Sequence, residues 1–187
     1  MNDGGDVTVI GADGSDVVLS SFWQDSDCLL LLLRHFACPS CSVRLGRLLP
    51  KLHQLRDLGV RVVIVGLGST QALRTFAARM KLGGGDLDLV VSPDLAAYRW
   101  AGLSRSKWAT YGPRSVAVSI ALYVLGHGAT RHEDDGDVLQ QGGVLFVKKG
   151  GTIAFRHADR DLADGPELSE AIQAALVSAA ERSDALV

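Results

Sequence analysis

Two cysteines separated by a Pro-Ser dipeptide, Cys38-Pro39-Ser40-Cys41, with Arg34 and His35 just upstream, are the residues whose types and spacing promise chemistry. Pro39 has no N–H to lose and a φ suited to the first helical turn, which puts Cys38 at or beside a helix N-cap. There the first-turn N–H groups and the positive end of the helix dipole stabilise a thiolate, and Arg34 and His35 add positive charge nearby. A thiolate is a nucleophile, and Cys41, three residues on, can close an internal disulfide with it. The same residues admit two other readings: plain core cysteines, or a metal site ligated through His35-x-x-Cys38-x-x-Cys41. No second Cys or His pair lies close in sequence to complete a metal set, although His127 and His132 stand in a later loop.

The elements that must position this pair follow from hydrophobic periodicity. The apolar run 29–33 is short enough to be a strand buried on both faces, and after Cys38 the pattern changes to a helical period. The spacing predicts one helix to about Leu58, with Cys41, Leu45, Leu48, Leu52 and Leu55 inward and Arg44, Arg47, Lys51 and Gln54 outward. On that helix Cys41 is expected to be buried and Cys38 exposed. Residues 61–65 and 87–91 read as two further core strands. The Gly66-Leu-Gly68-Ser69-Thr70 turn between strand and helix lacks the third glycine of a dinucleotide loop, because Gln71 stands there, so Ser69 or Thr70 is read as an N-cap. The helix that follows shows Leu73, Phe76, Ala77 and Met80 on one face and ends at Gly83-Gly84-Gly85; a next one, opened by Ser92-Pro93-Asp94, carries Tyr98 and Trp100.

Around this βαβ half, residues 7–10 and 17–19 predict an edge hairpin within an N-terminal segment 1–20, and Cys28 is read as a small buried hydrophobe. Trp108 and Tyr111 are expected to pack or to line a pocket, and 116–125 to form a buried or interface helix. Residues 126–137 lack an apolar period and are expected to be a mobile, protease-sensitive loop. Two strands, 144–147 and 152–155, meet across Lys148-Lys149-Gly150-Gly151, and a last helix starts at a capping box in 164–167, with Leu168, Ala171, Ile172, Ala175, Leu176 and Ala179 inward. The whole predicts an α/β chain: a thioredoxin-like fold, with a central mixed sheet flanked by helices on both faces, in a single domain spanning 1–187.

Composition narrows the function classes. With 187 residues, 47% of them hydrophobic, the chain can bury a substantial core, and 19 basic against 21 acidic residues leave no basic track for nucleic acid. The longest apolar stretch falls far short of the roughly 20 residues that span a bilayer. The start, Met1-Asn-Asp-Gly-Gly-Asp, has no signal-peptide pattern, and three cysteines make no disulfide framework, so a reducing, cytoplasmic setting without membrane attachment is expected.

Taken together, residues 34–41, 94–98, 137–144 (with Gln140-Gln141-Gly142-Gly143) and 157–166 resemble the peroxiredoxin-like proteins of the AhpC/TSA antioxidant type, in the branch that carries Cys-x-x-Cys. The resemblance implies a thioredoxin-like fold and thiol-dependent peroxide reduction or disulfide exchange, with Cys38 as the reactive cysteine and Cys41 as its resolving partner. Where typical peroxiredoxins place Pro and Thr or Ser upstream of the reactive cysteine, this chain has His35 three residues and Leu31 seven residues before Cys38, and Gly142-Gly143 stands where typical thioredoxins have a cis-proline. Where peroxiredoxins often carry Arg, this chain has Gln141, whose amide can donate to a peroxide or carbonyl oxygen. The expected site is therefore Cys38, Cys41, Arg34 and Gln141, needing no metal or flavin. A peroxide or disulfide would be its substrate, and an external dithiol such as a thioredoxin-type protein its reductant; assembly with like subunits is left open. The competing class is a non-catalytic binding or regulatory module of the same fold whose cysteines are structural or hold zinc.

Overall fold

A computed structural model describes residues 7–83, 85, 87–127, 134, 136–164 and 168–184. The leucine run forms β3 (Asp27–Leu32), every residue of which is buried. Its odd residues Leu29 and Leu31 enter one hydrophobic cluster and its even residues Cys28, Leu30 and Leu32 another, so the strand is the partition between two cores. Beside it lie β4 (Val60–Gly66) and then β5 (Asp88–Val91), all parallel. On its other side come β6 (Gly143–Val147) and β7 (Ile153–Ala158), both antiparallel to their neighbours. The hairpin β1 (Thr8–Gly11) and β2 (Asp16–Val18) completes the β5 edge, giving the order β2-β1-β5-β4-β3-β6-β7. The mixed sheet and its edge hairpin are as the sequence predicts.

Helices α1 (Pro39–Leu48), α2 (Leu52–Asp57), α3 (Thr70–Met80) and α7 (Leu168–Asp184) cover the face of Leu29 and Leu31. The opposite face is covered by α4 (Ala96–Trp100) and by a 3-10 turn, Leu19–Trp23. None of the described helices is long and apolar enough to cross a membrane. The single helix expected to run to Leu58 is broken, with a 3-10 turn at Leu49–Lys51 between α1 and α2. Pro50 is the cause, since its ring clashes with the preceding turn and it offers no N–H to continue the ladder. The inward leucines keep their places except Leu52, which is half-buried, and Arg44, assigned to the outer face, is buried instead.

Other elements differ in detail. Ser69 caps α3, accepting from the Ala72 N–H at 3.0 Å, but the helix ends at Lys81, in a left-handed conformation, rather than at the glycines. In α7, Ala171, Ile172 and Ala175 are buried as expected, whereas Leu176 and Val177 face solvent and Ser178 is inside. The capping box at 165–167 lies outside the described residues, as do 128–133 and 135 of the expected mobile loop. The loop's far end is docked: Asp134 accepts from the Ser69 N–H at 3.1 Å, and Asp137 pairs with Arg105 at 2.5 Å. After β5 the chain forms α5 (Lys107–Tyr111) and α6 (Pro113–Val124), and here burial fails outright: Trp108, Tyr111 and most of α6 are exposed.

The segment between β3 and α1 is fixed by a close approach that only glycine permits. A Cβ on Gly66 would fall 2.5 Å from Cε1 of Phe36 and closer still to its Cζ. Gly66 thus serves as the floor under Phe36, two residues before Cys38, where its sequence context suggested only a turn. Phe36 also packs on Phe76, and its carbonyl accepts from Arg79 Nη2 at 2.6 Å. Gly66→Ala is expected to cost about 1–3 kcal/mol in urea unfolding, through displacement of this ring; an unchanged midpoint would show that Phe36 does not brace the segment.

Candidate active site

Cys38 is the N-cap of α1, with φ −69° and ψ 115°, and Pro39 occupies the first helical position. The helix start is as predicted, but the exposure is not: Cys38 is 0% and Cys41 2% exposed. Periodicity placed Cys38 off the inward face of α1 but could not show that it joins the buried cluster of Leu33, Phe36 and Cys41. Cys28 is buried in β3 as expected, where desolvation pushes its thiol up, away from reactivity.

The two sulfurs of the pair have opposite acidities. A hydrogen bond from the Cys41 thiol brings Cys38 down to about 6, against the effect of burial and with help from the Arg34 charge and from Ser40, whose Oγ lies 3.3 Å away. Cys41 is raised, first because its proton is held on Cys38 and then by burial. The Arg34 backbone N–H donates to Cys41 Sγ at 3.4 Å. Near neutral pH the pair therefore holds one proton, carried by Cys41 and pointed at a Cys38 thiolate.

Arg34 is 2% exposed, an uncommon place for a guanidinium. Its Nη2 donates to Thr110 Oγ1 at 2.9 Å, while Nε and Nη1 have no hydrogen-bond partner among the described residues. Gly142 gives it room, since a Cβ there would lie 3.3 Å from Arg34 Cγ, 2.6 Å from the Leu32 carbonyl and 2.9 Å from Asp159 Oδ2. The space that the glycine pair opens is thus occupied by this chain's own side chains.

Gln141 is brought to the same place but with its amide turned the other way from the expectation. Its Nε2 donates to the Leu139 carbonyl at 2.8 Å and lies 3.3 Å from Thr110 Oγ1, with the Ser106 carbonyl at 3.4 Å. Carbonyls accept only, which fixes the amide orientation and leaves Oε1 as the buried atom without a partner. Gln141 thus presents an unpartnered acceptor, and Arg34 the unpartnered donors Nε and Nη1.

Sequence reasoning missed three residues that build this site. Gln140, 2% exposed, ties the strand lead-in through Nε2 to the carbonyls of Ser104 and Gln141. The Tyr98 hydroxyl donates to the Leu33 carbonyl at 2.6 Å, clamping the end of β3 immediately before Arg34. Arg44 donates from Nη1 to Asp159 Oδ2 at 3.0 Å and from Nη2 to the Asp164 carbonyl at 3.1 Å, placing a second buried cation beside Cys41. Asp159 and Tyr98 fall in segments that carry the resemblance; nothing in the helical period marks Arg44. No group of three His, Cys, Asp or Glu side chains suited to a metal occurs among the described residues.

A family model described as AhpC/TSA antioxidant enzyme matches residues 45–161, well over half of the chain. The chain belongs to the AhpC/TSA antioxidant enzyme family. The match begins after Cys38 and Cys41 and takes in Tyr98, Thr110, Gln140, Gln141 and Asp159. Among curated relatives of this AhpC/TSA protein, the "Thioredoxin-like protein AAED1, chloroplastic" of Arabidopsis thaliana is 25% identical over 90% of this chain and 69% of its own length. The human "Peroxiredoxin-like 2C" is 27% identical over 90% and 76%, and the "Prostamide/prostaglandin F synthase" of Xenopus tropicalis 28% over 79% and 73%. Of solved structures, the bacterioferritin comigratory protein of Xanthomonas campestris aligns with a TM-score of 0.63 at 12% identity, covering 96% of each chain. Peroxiredoxin 6 of Arenicola marina aligns at 0.62 and 10%, over 90% of this chain and 68% of its own. These likenesses establish a thioredoxin-like peroxiredoxin fold.

The Arg44–Asp159 pair is testable as a buried ion pair. Asp159→Ala strands the Arg44 charge and is expected to lower stability by about 3–5 kcal/mol, whereas the double replacement Arg44→Met with Asp159→Leu recovers most of it. Chemical denaturation of the two variants checks this, and equal losses in both would show that packing rather than charge is at stake.

Proposed function

We propose that this chain is a peroxiredoxin-like thiol peroxidase in which Cys38 is the nucleophile and Cys41 the resolving thiol. The observation that carries the reading is the Cys38 sulfur itself: at a helix N-cap, hydrogen-bonded by the Cys41 thiol, close enough to the Arg34 guanidinium to feel its charge, and lowered to about 6. The thiolate attacks one oxygen of a peroxide, the O–O bond breaks, and the leaving alkoxide or hydroxide takes up a proton. Cys38 is left as a sulfenic acid. Arg34 Nε and Nη1 are the donors for the oxygen that gains charge, and Gln141 Oε1 accepts from the peroxide O–H. Cys41 then attacks the sulfenic sulfur, releasing water and forming the Cys38–Cys41 disulfide, which an external dithiol of thioredoxin type reduces.

Complete burial of Cys38 favours a peroxide over a protein disulfide as the oxidant in this conformation, because a small molecule can enter where a polypeptide cannot. Disulfide exchange with the reductant requires α1 to open at its first turn. A single domain in a cytoplasmic, reducing setting suits three unpaired cysteines.

Intact-mass measurement after a brief peroxide exposure separates the roles. Wild type is expected to lose two hydrogens and Cys41→Ser to gain one or two oxygens, with no rapid change in Cys38→Ser. Turnover of peroxide with a thioredoxin system should vanish in Cys38→Ser, since a hydroxyl cannot replace the thiolate without a dedicated base. An oxygen adduct on Cys41 in Cys38→Ser would reverse the assignment, and disulfide reduction without any reaction with peroxide would leave only the exchange activity.

A further inference from the structure

Charged side chains lead from Cys41 toward solvent and end at His157, on β7. The His157 side chain is 24% exposed, yet its Nε2 is buried, 3.7 Å from Asp159 Oδ1 and 3.6 Å from Asp164 Oδ1. Neither Nε2 nor Asp159 Oδ1 has a hydrogen-bond partner among the described residues. Carboxylate oxygens only accept, so the ring turns an N–H toward them whether it is neutral or charged, and the second proton enters at Nδ1. The other oxygen of Asp159 holds Arg44 Nη1 at 3.0 Å. The Arg44 charge in turn reaches Cys41, where it works against the rise that Cys38 and burial impose.

We propose that, given the roles assigned above to Cys38 and Cys41, His157 is a positioning residue for the resolving step: its charge, acting through Asp159 on Arg44, sets how readily Cys41 gives up its proton. In that step the Cys41 S–H bond breaks, its sulfur bonds to the sulfenic sulfur of Cys38, and the hydroxide displaced from Cys38 leaves with the proton as water. With His157 neutral, Asp159 cancels much of the Arg44 charge that Cys41 would otherwise feel. Burial raises the Asp159 carboxyl despite Arg44, as suits a carboxylate with one oxygen unanswered. A proton on His157 answers that oxygen, frees more of the Arg44 charge to act on Cys41 and so favours the thiolate. The other charges around the ring are already matched. From α1 comes Arg44, bound to Asp159; from the loop after β7 comes Asp164, whose Oδ2 accepts from Arg160 Nε at 2.9 Å, and the neighbouring Asp161 is paired with Arg114 of α6. On the sheet, His157 stands opposite the apolar Val144 of β6. Its protonation therefore adds positive charge that no described carboxylate beyond these offsets.

Rapid-quench intact-mass kinetics on the full chain, with hydrogen peroxide in enough excess to make oxygen gain the faster step, isolates the conversion of sulfenic acid to disulfide. Compared with wild type at the same pH, His157→Gln is expected to make the disulfide at least about 3-fold more slowly near pH ~6 and at the same rate near pH ~8.5. His157→Lys, charged throughout, is expected to match wild type near pH ~6 and to be at least about 3-fold faster near pH ~8.5. Oxygen gain and the urea midpoint are expected to stay near wild-type values in both. If His157→Gln does not fold, His157→Lys at the higher pH decides alone. A disulfide step indifferent to both substitutions, or changed by one factor at every pH, would overturn the proposal while leaving Cys38 and Cys41 in their roles. A wild type that gains no oxygen, or gains it and never forms the disulfide, would overturn it together with the reading of the two cysteines.

Discussion

A guanidinium sealed from water is costly unless something nearby holds negative charge, and Arg34 is such a group. It stands at the end of the central strand with, among the described residues, one hydrogen bond from its head, to Thr110, and its charge is felt at Cys38. A thiolate on Cys38 and the cation on Arg34 each make the other tolerable in a dry site. Much of the surrounding structure serves that arrangement. Gly142 gives the arginine stem room, and Tyr98 clamps the strand end from which it leaves. Gln141 and Gln140 spend their amide donors on carbonyls around it.

The second sulfur is governed from the other side of α1. Cys41 keeps its proton because Cys38 accepts it, while Arg44, held by Asp159, favours the loss of that proton once the bond to Cys38 is gone. The two buried arginines thus bracket the pair, one at each sulfur. The asymmetry suits the proposed sequence, attack by Cys38 followed by attack by Cys41.

The sheet was readable because the leucine run and the short parallel strands are buried on both faces and leave an unbroken apolar signature. The helix start at Cys38 was readable from Pro39. Four features were not. Pro50 sits inside a leucine period that continues across it, so the break between α1 and α2 is hidden in the pattern that reveals the helix. Arg44 lies at a position the helical wheel assigns to solvent, and its burial rests on Asp159 and the Asp164 carbonyl, both distant in sequence. Cys38 is likewise off the inward face of its helix but lies in the same buried cluster as Leu33 and Phe36, outside the helix, which helical periodicity does not describe. The orientation of the Gln141 amide depends on the backbone carbonyls of Leu139 and Ser106, which no residue type announces. For α6 uniform hydrophobicity predicts a buried or interface helix, and against the described residues most of it is exposed.

The mutual dependence of the Arg34 cation and the Cys38 thiolate is read most directly by thiolate absorbance in the ultraviolet as a function of pH, in wild type and in Arg34→Met. Wild type is predicted to show one thiol titrating near 6, assigned by its disappearance in Cys38→Ser, and in Arg34→Met that transition is predicted to move upward. A wild type without a transition below the ordinary thiol range, or a transition indifferent to the loss of Arg34, would contradict this account.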